Sequence, residues 1–288
     1  MTVAQINGIR IAYEDTGGTG ETILLVMGTG SPGRVWHLHQ VPAFRAAGFR
    51  VVTLTNRGIP PSDECAQGFT MDDMVGDVVG LIQHLCCGKV TLIGTSLGAR
   101  IVVETALARP DLVARVVALA AHARLEPVQR AMTLGEIALA DQAVPPPADY
   151  RAAIDALQYL SPATLRDERT AQDWLDMFAF NDGRISAGHK AQLQISADLG
   201  DRRPAYRKVA VPLLAVGFAD DAAIPPRLSR EVADVVPGAR YVEVPDTGHY
   251  GYLERPEEVN RLILDYLRGA PATADTPAAS VNLRIHHG

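Results

Sequence analysis

Short apolar runs alternate with helical patterns along the first part of the chain, and this alternation limits the possible folds more than any other feature. Nearly continuous apolar runs of this kind are typical of central strands that are covered on both faces. Strands that alternate with crossover helices form a mostly parallel sheet, so the sequence predicts the α/β class. The predicted strands are residues 2–6, 9–15, 22–27, 50–55, 90–94, 113–120, 212–218 and 239–244.

The pattern changes between residues 124 and 205, where Ala- and Leu-rich helical stretches replace the strands. A compact domain rarely contains about 80 residues of structureless loop, so this segment is predicted to be a helical insertion after the sixth strand. The core is then formed by residues 1–123 and 206–269. The remaining tail, residues 270–288, is rich in Ala, Pro and Thr and is predicted to be disordered.

Composition narrows the classes of partner. The net charge is −6 and the basic residues form no cluster, which argues against nucleic acid. No apolar run approaches the roughly 18 residues that a membrane span requires. The odd cysteine count, with Cys86 and Cys87 adjacent, is typical of a reducing compartment. We therefore expect a cytoplasmic protein that acts on a small molecule. His286 and His287 lack a third ligand, and no metal is expected.

A Gly-Thr-Ser-Leu-Gly motif at residues 94–98 lies between a predicted strand and a helical pattern at 97–109. A serine in such a strand-to-helix turn is exposed at the edge of the sheet. The free N–H groups and the dipole of the following helix favour negative charge beside it. Ser96 is therefore the predicted nucleophile, with an ordinary tight turn as the alternative.

A serine hydroxyl needs a base before it can act as a nucleophile. His249 follows the last predicted strand and precedes the last helical pattern, so it is the predicted base. The base in turn needs an orienting carboxylate. Asp220 and Asp221 both follow the strand at 212–218, and the order Ser, Asp, His holds for either of them. These residues alone leave that choice open.

The negative oxygen of a tetrahedral intermediate needs preorganised donors. The backbone N–H of Leu97, directly after the nucleophile, is one candidate, and that of Thr29, in the glycine-rich turn at 28–31, is the other. A phosphate-binding loop is the alternative for this turn. No Gly-Lys-Ser/Thr follows it and no nucleotide-binding fingerprint opens a helix, so no cofactor is predicted.

Together these motifs resemble the α/β-hydrolase fold family, over residues 5–268 apart from the insertion. Residues 217–225, Gly-Phe-Ala-Asp-Asp-Ala-Ala-Ile-Pro, look like the family's acid turn, in which the acid usually precedes a proline by four residues. That resemblance selects Asp221 over Asp220. Residues 248–257 are similar to the family's signature around the catalytic histidine. The resemblance implies an eight-stranded, mostly parallel sheet flanked by helices, with the insertion as a lid.

Two positions depart from the family pattern. Met27 replaces the usual histidine before the oxyanion residue, and Asn56 replaces the usual aspartate beside Arg57. Both are expected to alter the pocket. Aromatic residues of the insertion are expected to form an apolar ceiling over Ser96, or else simply to pack the insertion against the core. The predicted pocket residues are Met27, Gly28, Tyr159, Trp174, Phe178 and Tyr250, with Phe180 as a further part of the ceiling.

The family includes enzymes with aspartate at the position of the nucleophile. The serine at position 96 disfavours two of these classes, the dehalogenases and the epoxide hydrolases. The resemblance implies a serine hydrolase that cleaves a carboxylic ester, lactone or thioester of a small to medium apolar substrate, either free or carrier-bound, through an acyl-Ser96 intermediate. One alternative is a tailoring enzyme of secondary metabolism that uses the same pocket for cyclisation, elimination, acyl transfer or C–C bond formation. A non-catalytic ligand receptor is the other.

Overall fold

The structure is a computed structural model that describes residues 1–142, 144–180 and 183–269. The described strands form one eight-stranded sheet, as the sequence predicts. They are β1 (Thr2–Ile6), β2 (Ile9–Asp15), β3 (Thr22–Val26), β4 (Arg50–Leu54), β5 (Val90–Thr95), β6 (Val113–Leu119), β7 (Leu213–Phe218) and β8 (Arg240–Val244). Their order is β1-β2-β4-β3-β5-β6-β7-β8. The two pairs that involve β2 are antiparallel, and all the other pairs are parallel.

Helices cover the sheet and fill the insertion. They are α1 (Gln40–Ala46), α2 (Met71–His84), α3 (Leu97–Ala108), α4 (Pro127–Ala140), α5 (Ala148–Tyr159), α6 (Pro162–Leu165), α7 (Glu168–Ala179), α8 (Ala187–Ala197), α9 (Arg203–Tyr206), α10 (Pro226–Val235), α11 (Gly251–Glu254) and α12 (Pro256–Leu267). The described elements between β6 and β7 are all helices, α4 to α9. The predicted disordered tail and its two histidines lie outside the described residues.

Residues 37–47 lie between the third and fourth predicted strands and have a helical pattern that predicts one helix, but the structure divides it. A 3₁₀ helix at Gly33–Leu38 ends at His39, whose backbone has φ −141° and ψ −44°, and α1 begins immediately afterwards. The reason is Pro42, which lacks the N–H that a continuous helix would pair with the carbonyl of Leu38. Proline fits the first turn of a new helix, where no such donor is needed.

The core lies on both faces of the sheet because the central strands are buried on both. All five residues of β3 are buried, and its alternate side chains enter two different apolar clusters. Leu24 and Val26 pack with residues of α2 and α3. Ile23 and Leu25 pack with residues of α1 and α12. The strands β3, β5, β6, β7 and β8 are parallel to one another. The loops that follow them therefore all leave the sheet at the same edge.

No helix among the described residues is long and apolar enough to cross a membrane.

Candidate active site

Ser96 occupies a strained turn between β5 and α3. Its backbone has φ 55° and ψ −119°, a conformation that L-residues rarely adopt and that is typical of functional sites. The turn is fixed by a hydrogen bond from the N–H of Ser96 to the carbonyl oxygen of Leu119, 2.9 Å away in β6. Ser96 follows β5 at the carboxyl edge of the sheet and is half-buried there, less exposed than the sequence predicts.

The two glycines of the motif allow this turn to pack closely. A Cβ added to Gly98 would lie 2.2 Å from the carbonyl oxygen of Val26, and one added to Gly94 would lie 2.2 Å from that of Gly98. Both clashes involve backbone atoms, which cannot rotate away as a side chain can. The motif therefore needs glycine at both positions for steric reasons.

We expect Gly98→Ala to lower the free energy of unfolding by about 3 kcal/mol, the upper part of the range for overpacked sites. The matched control is Gly135→Ala in α4, where a Cβ meets nothing within 4 Å. That change should stabilise the protein by about 0.5–1 kcal/mol through helix propensity. Urea denaturation of both variants checks the difference. Equal changes in the free energy of unfolding for the two substitutions would contradict the close packing of the turn at residues 94–98.

Asp221 and His249 form a buried hydrogen-bonded pair. Nδ1 of His249 lies 2.8 Å from Oδ2 of Asp221, whose side chain is 0% exposed. The other carboxylate oxygen, Oδ1, accepts the backbone N–H of Ile224 at 2.7 Å. Because an ionised carboxylate only accepts, it fixes the tautomer that carries the proton on Nδ1 and leaves Nε2 as a base.

The structure separates the two aspartates that the residues alone leave open. Asp220 accepts a hydrogen bond from the hydroxyl of Ser161 at 2.6 Å, and its N–H donates to the carbonyl of Thr247 at 2.8 Å. Its carboxylate therefore joins the insertion to the acid turn, whereas the carboxylate of Asp221 contacts His249. The spacing of Asp221 from Pro225 thus pointed to the carboxylate that the structure places on the histidine.

Ser96 follows β5 and His249 follows β8, so both residues lie at the carboxyl edge of the sheet. Within the described residues the structure gives no hydrogen bond between Ser96 Oγ and the imidazole. Catalytic hydrogen bonds are often long before substrate binds and shorten in the reactive complex. The structure therefore brings together the acid and the base directly, and the nucleophile through the topology of the sheet.

The predicted oxyanion donors belong to Leu97 and Thr29. Leu97 is the first residue of α3, where the N–H has no partner within the helix. Thr29 lies in the loop after β3, whose Gly28 packs against Ser96: a Cβ at Gly28 would lie 3.3 Å from that of Ser96. The next backbone N–H, that of Gly30, donates to the side chain of Gln192 in the insertion and is not free for an oxyanion. No described residue accepts a hydrogen bond from the backbone N–H of Thr29 or of Leu97, so both are available to an oxyanion.

Gln192 of α8 holds the loop after β3, residues 28–31, which carries Thr29 and which we call the oxyanion loop. Its Oε1 accepts the N–H of Gly30 at 2.9 Å, and its Nε2 donates to the carbonyl of Arg57 at 2.8 Å. The side chain is fully buried. On the opposite side, Nδ2 of Asn56 donates to the carbonyl of Met27 at 2.8 Å. Gln192 could not be identified from the sequence, because it lies 162 residues from Gly30 and no local pattern relates the two.

We expect Gln192→Leu to lower kcat/KM for an ester by about 10- to 100-fold, because a displaced oxyanion loop misplaces a transition-state donor. The matched control is Gln194→Leu, since Gln194 is an exposed residue of the same helix whose side chain donates a hydrogen bond to Asp198. It should stay within twofold of the native enzyme. Steady-state kinetics, with circular dichroism to verify folding, provides the measurement. An unchanged kcat/KM in Gln192→Leu would show that the loop does not depend on this contact.

Two tyrosines lie beside the histidine. The ring of Tyr159 is 5.7 Å from that of His249 and is stacked on the ring of Tyr250, with 5.0 Å between the centroids. The hydroxyl of Tyr159 donates to Oε1 of Glu136 at 3.3 Å. Burial raises the pKa of the Glu136 carboxyl and raises that of the Tyr159 hydroxyl well above its ordinary value. Both predicted pocket tyrosines therefore lie at the site.

The remaining aromatics of the predicted ceiling differ from one another. Trp174 and Phe178 lie 6.1 Å and 6.2 Å from the ring of Tyr250, and Phe178 is buried among apolar residues of the insertion. Their rings contact Tyr250 and continue the cluster of aromatic side chains that begins with Tyr159 and Tyr250 beside His249. Phe180 is 91% exposed, so its expected place in the ceiling is wrong. It follows Phe178 by two residues at the end of α7, where the helical period directs it to the opposite face.

Met27 is also placed differently from the expectation. Its side chain is 1% exposed and lies in the apolar core with Leu25 and Trp36. It continues the alternation of β3, so its side chain enters the core while its carbonyl holds Asn56. Met27 and Asn56, the two departures from the family pattern, therefore hold the start of the oxyanion loop through this hydrogen bond. The side chain of Met27 does not form a wall of the pocket.

Glu254 connects the histidine loop to the insertion. Its Oε2 accepts the N–H of Gly248 at 2.7 Å, and its Oε1 accepts the N–H of Ser161 and the hydroxyl of Thr164 at 2.8 and 2.6 Å. Burial raises the pKa of Glu254, and these three donors oppose that shift. Glu254 belongs to the motif at 248–257, although the sequence did not reveal this contact with the insertion.

No group of three or more potential metal ligands occurs within the described residues.

Comparison with known proteins gives similarity along nearly the whole chain. The model of the alpha/beta hydrolase family matches residues 23–262. A Mycobacterium tuberculosis H37Rv protein, provisionally named as the non-heme bromoperoxidase BpoC, is 40% identical over 264 residues, which are 92% of this chain and 100% of that protein. A crystal structure of BpoC has a TM-score of 0.86 at 41% identity, covering 91% of this chain and 97% of that one. The enol-lactonase of Burkholderia xenovorans LB400 has a TM-score of 0.79 at 26% identity, covering 93% and 100%.

Proposed function

Because the chain belongs to the alpha/beta hydrolase family, we propose that it is a serine hydrolase that cleaves a carboxylic ester, lactone or thioester through an acyl-Ser96 intermediate. The observation that carries this proposal is the buried hydrogen bond between Asp221 and His249, at the sheet edge where Ser96 occupies its strained turn. A base with a fixed tautomer beside a serine at a helix N-terminus is the arrangement that activates a hydroxyl.

The proposed reaction proceeds in two halves. Nε2 of His249 accepts the proton of Ser96 Oγ as the oxygen attacks the acyl carbon, and the carbonyl π electrons move onto its oxygen. The N–H groups of Leu97 and Thr29 donate to that oxyanion. Collapse of the intermediate breaks the bond to the leaving group, which takes the proton from His249. Water then attacks the acyl-enzyme with the same base, and the acid and Ser96 are released.

The aromatic group beside the histidine supports a substrate with an apolar portion. Tyr159 and Tyr250 present ring surface next to His249, and aromatic faces contribute strongly to binding when they pack against apolar groups. We propose that the insertion acts as a lid. Its contacts at Asp220 and Gly30 hold it against both the acid turn and the oxyanion loop. A closed site of this kind strengthens the hydrogen bonds to the oxyanion by excluding water.

The product distinguishes hydrolysis from a non-hydrolytic reaction. We expect the protein to convert 4-nitrophenyl butyrate in H₂¹⁸O into butyrate that carries one ¹⁸O atom, because water attacks the acyl-enzyme at the carbonyl carbon. Mass spectrometry of the acid gives the result. The matched control is Ser96→Ala, which should release acid only at the background rate. Consumption of the ester with the acyl group transferred to another acceptor, and no ¹⁸O in the product, would overturn the hydrolase proposal.

A further inference from the structure

Arg100 carries a buried charge that the fold leaves without a partner. The residue lies in α3, four positions after Ser96, and is 3% exposed. Its Nε and Nη1 atoms are buried and make no hydrogen bond to any part of the chain that the structure describes. Arg100 also forms no ion pair within those residues. A buried guanidinium in this state is costly, because both its charge and its N–H donors have left water.

The neighbouring carboxylate does not neutralise this charge. Glu104, one turn further along α3, accepts two hydrogen bonds from Arg202, at 2.8 Å from Nε and 2.7 Å from Nη2. Such a bidentate pair uses both carboxylate oxygens. The pair of Glu104 and Arg202 is neutral in sum, so Arg100 leaves one net positive charge in the buried cluster. Burial lowers the pKa of Arg100, but an arginine keeps its proton at neutral pH.

Tyr206 adds a second donor to the same buried cluster. It is 1% exposed, and its hydroxyl makes no hydrogen bond of ordinary geometry to a described residue. The hydroxyl lies close to the carboxylate of Glu104, whose two oxygens already accept from Arg202, and within electrostatic reach of Arg100. A tyrosine hydroxyl can donate to an anion while the guanidinium carries the charge. The one carboxylate of the cluster already accepts both hydrogen bonds from Arg202, so the donors of Arg100 and Tyr206 exceed the acceptors present and one net positive charge remains.

The cluster adjoins the active site. Residues four apart share one face of a helix, and side chains tilt towards its N-terminus, so Arg100 leans towards Ser96. The backbone N–H of Arg100 donates to the backbone carbonyl of Ser96 at 3.2 Å, so the two residues are one helical turn apart. His122 follows β6 at the same sheet edge and interacts electrostatically with both Arg100 and His249. Burial, followed by the charge of Arg100, lowers the pKa of His122 to about 3, so this imidazole is neutral.

We propose that Arg100 and Tyr206 form an anion subsite beside Ser96 that takes a carboxylate group. A carboxylate supplies two acceptor oxygens in the spacing that a guanidinium matches, together with the missing negative charge. The group arrives either as the distal carboxylate of an acyl substrate or as a free small anion. In the first case the inference rests on the proposed hydrolase function, and the substrate is an acyl chain that ends in an acid. In the second case it stands independently of that function.

The first arm of the test compares two esters with the same four-carbon acyl chain, 4-nitrophenyl butyrate and 4-nitrophenyl hemisuccinate. The second carries a terminal carboxylate. We expect the native protein to prefer the hemisuccinate in kcat/KM. The preference should fall by about 10- to 100-fold in Arg100→Met, the range for a lost hydrogen bond to a charged group. Arg109→Met serves as the matched control, because it removes an exposed guanidinium that pairs with Asp111 just beyond the same helix.

The second arm measures anion binding without catalysis, in Ser96→Ala. Titration with sodium acetate should raise the Tm in a saturable way, and by more than sodium chloride at the same concentrations, because chloride has no carboxylate. The added Arg100→Met change should remove this rise. It should also leave the Tm in low salt equal to or above that of Ser96→Ala alone, because an uncompensated buried charge is gone. Arg100→Lys, which keeps the charge, should retain part of the response to acetate.

The two arms separate the possible results. An ester preference that depends on Arg100 assigns the subsite to substrate, and a rise in Tm without any ester preference assigns it to a free anion. A lower Tm in Arg100→Met, with no response to acetate beyond that to chloride and no ester preference, would overturn the proposal and make Arg100 a structural residue. If neither ester is cleaved, the hydrolase proposal has failed, while the titration still decides on the anion subsite.

Discussion

Replacing Ser96 by alanine is expected to lower kcat for 4-nitrophenyl butyrate by about 10⁴- to 10⁶-fold, the range for loss of a triad nucleophile. The covalent path is closed without Oγ, and the oxyanion donors with substrate binding supply only the residual rate. KM should change little, since the hydroxyl contributes little to the binding of the ground state. Release of 4-nitrophenolate, followed by absorbance, provides the measurement.

The adjacent hydroxyl provides a matched control for this substitution. Thr95 precedes Ser96 in the same turn, and its Oγ1 is buried without a hydrogen-bond partner in the described part of the chain. Thr95→Val removes that hydroxyl at nearly constant volume, and kcat should stay within about tenfold of the native value, because no reacting atom is lost. A variant Ser96→Ala that keeps more than a few per cent of native kcat would contradict the role of Ser96 as nucleophile.

Changing Asp221 to asparagine is expected to lower kcat by about 10⁴-fold, while the same change at Asp220 should cost less than about tenfold. The amide at 221 would still fill the buried site, but it can no longer select the tautomer of His249 that keeps Nε2 as the base. The amide at 220 would weaken only the contact with Ser161. Both variants remove one negative charge from neighbouring positions, so long-range electrostatic effects largely cancel in the comparison.

Kinetics of both variants at saturating ester, with thermal unfolding to verify folding, gives the comparison. Equal losses in Asp220→Asn and Asp221→Asn would mean that the turn as a whole, and not one carboxylate, supports the histidine. A larger loss at Asp220 would contradict the assignment of the triad acid. The buried position of Asp221, with one oxygen on Ile224 and the other on His249, is the reason for the asymmetry that we expect.

The sheet could be predicted from the sequence because burial on both faces imposes a visible pattern. β3 reads as a continuous apolar run, since its alternate residues enter two different cores. The division of the helix at 37–47 was less visible, because the apolar pattern continues across the break. Only Pro42, through its missing N–H, explains it.

The candidate site could be predicted where short motifs determine it. Ser96 and His249 lie in local patterns of glycine and neighbouring residues, and the resemblance of residues 217–225 to the family's acid turn selected Asp221 over Asp220. The supporting contacts could not be found this way. Gln192 meets Gly30 across 162 residues, and Ser161 meets Asp220 across 59. Such contacts depend on how the insertion folds back onto the core, which helical periodicity does not determine.

The periodicity within α7 shows both what such reasoning provides and where it ends. Trp174 and Phe178 are four residues apart, share one face and pack together towards Tyr250. Phe180 belongs to the same apolar composition but lies on another face and is exposed. Composition alone would place all three in the ceiling, whereas the helical period separates them.

The most direct test of the central claim is the intact mass of the protein after treatment with a fluorophosphonate. We expect a single adduct on the native chain at neutral pH and none on Ser96→Ala, because only a serine activated by His249 displaces the fluoride. Peptide mapping should place the adduct on residues 94–98. A folded native protein that remains unmodified, or an adduct that persists in Ser96→Ala, would contradict the proposed covalent mechanism.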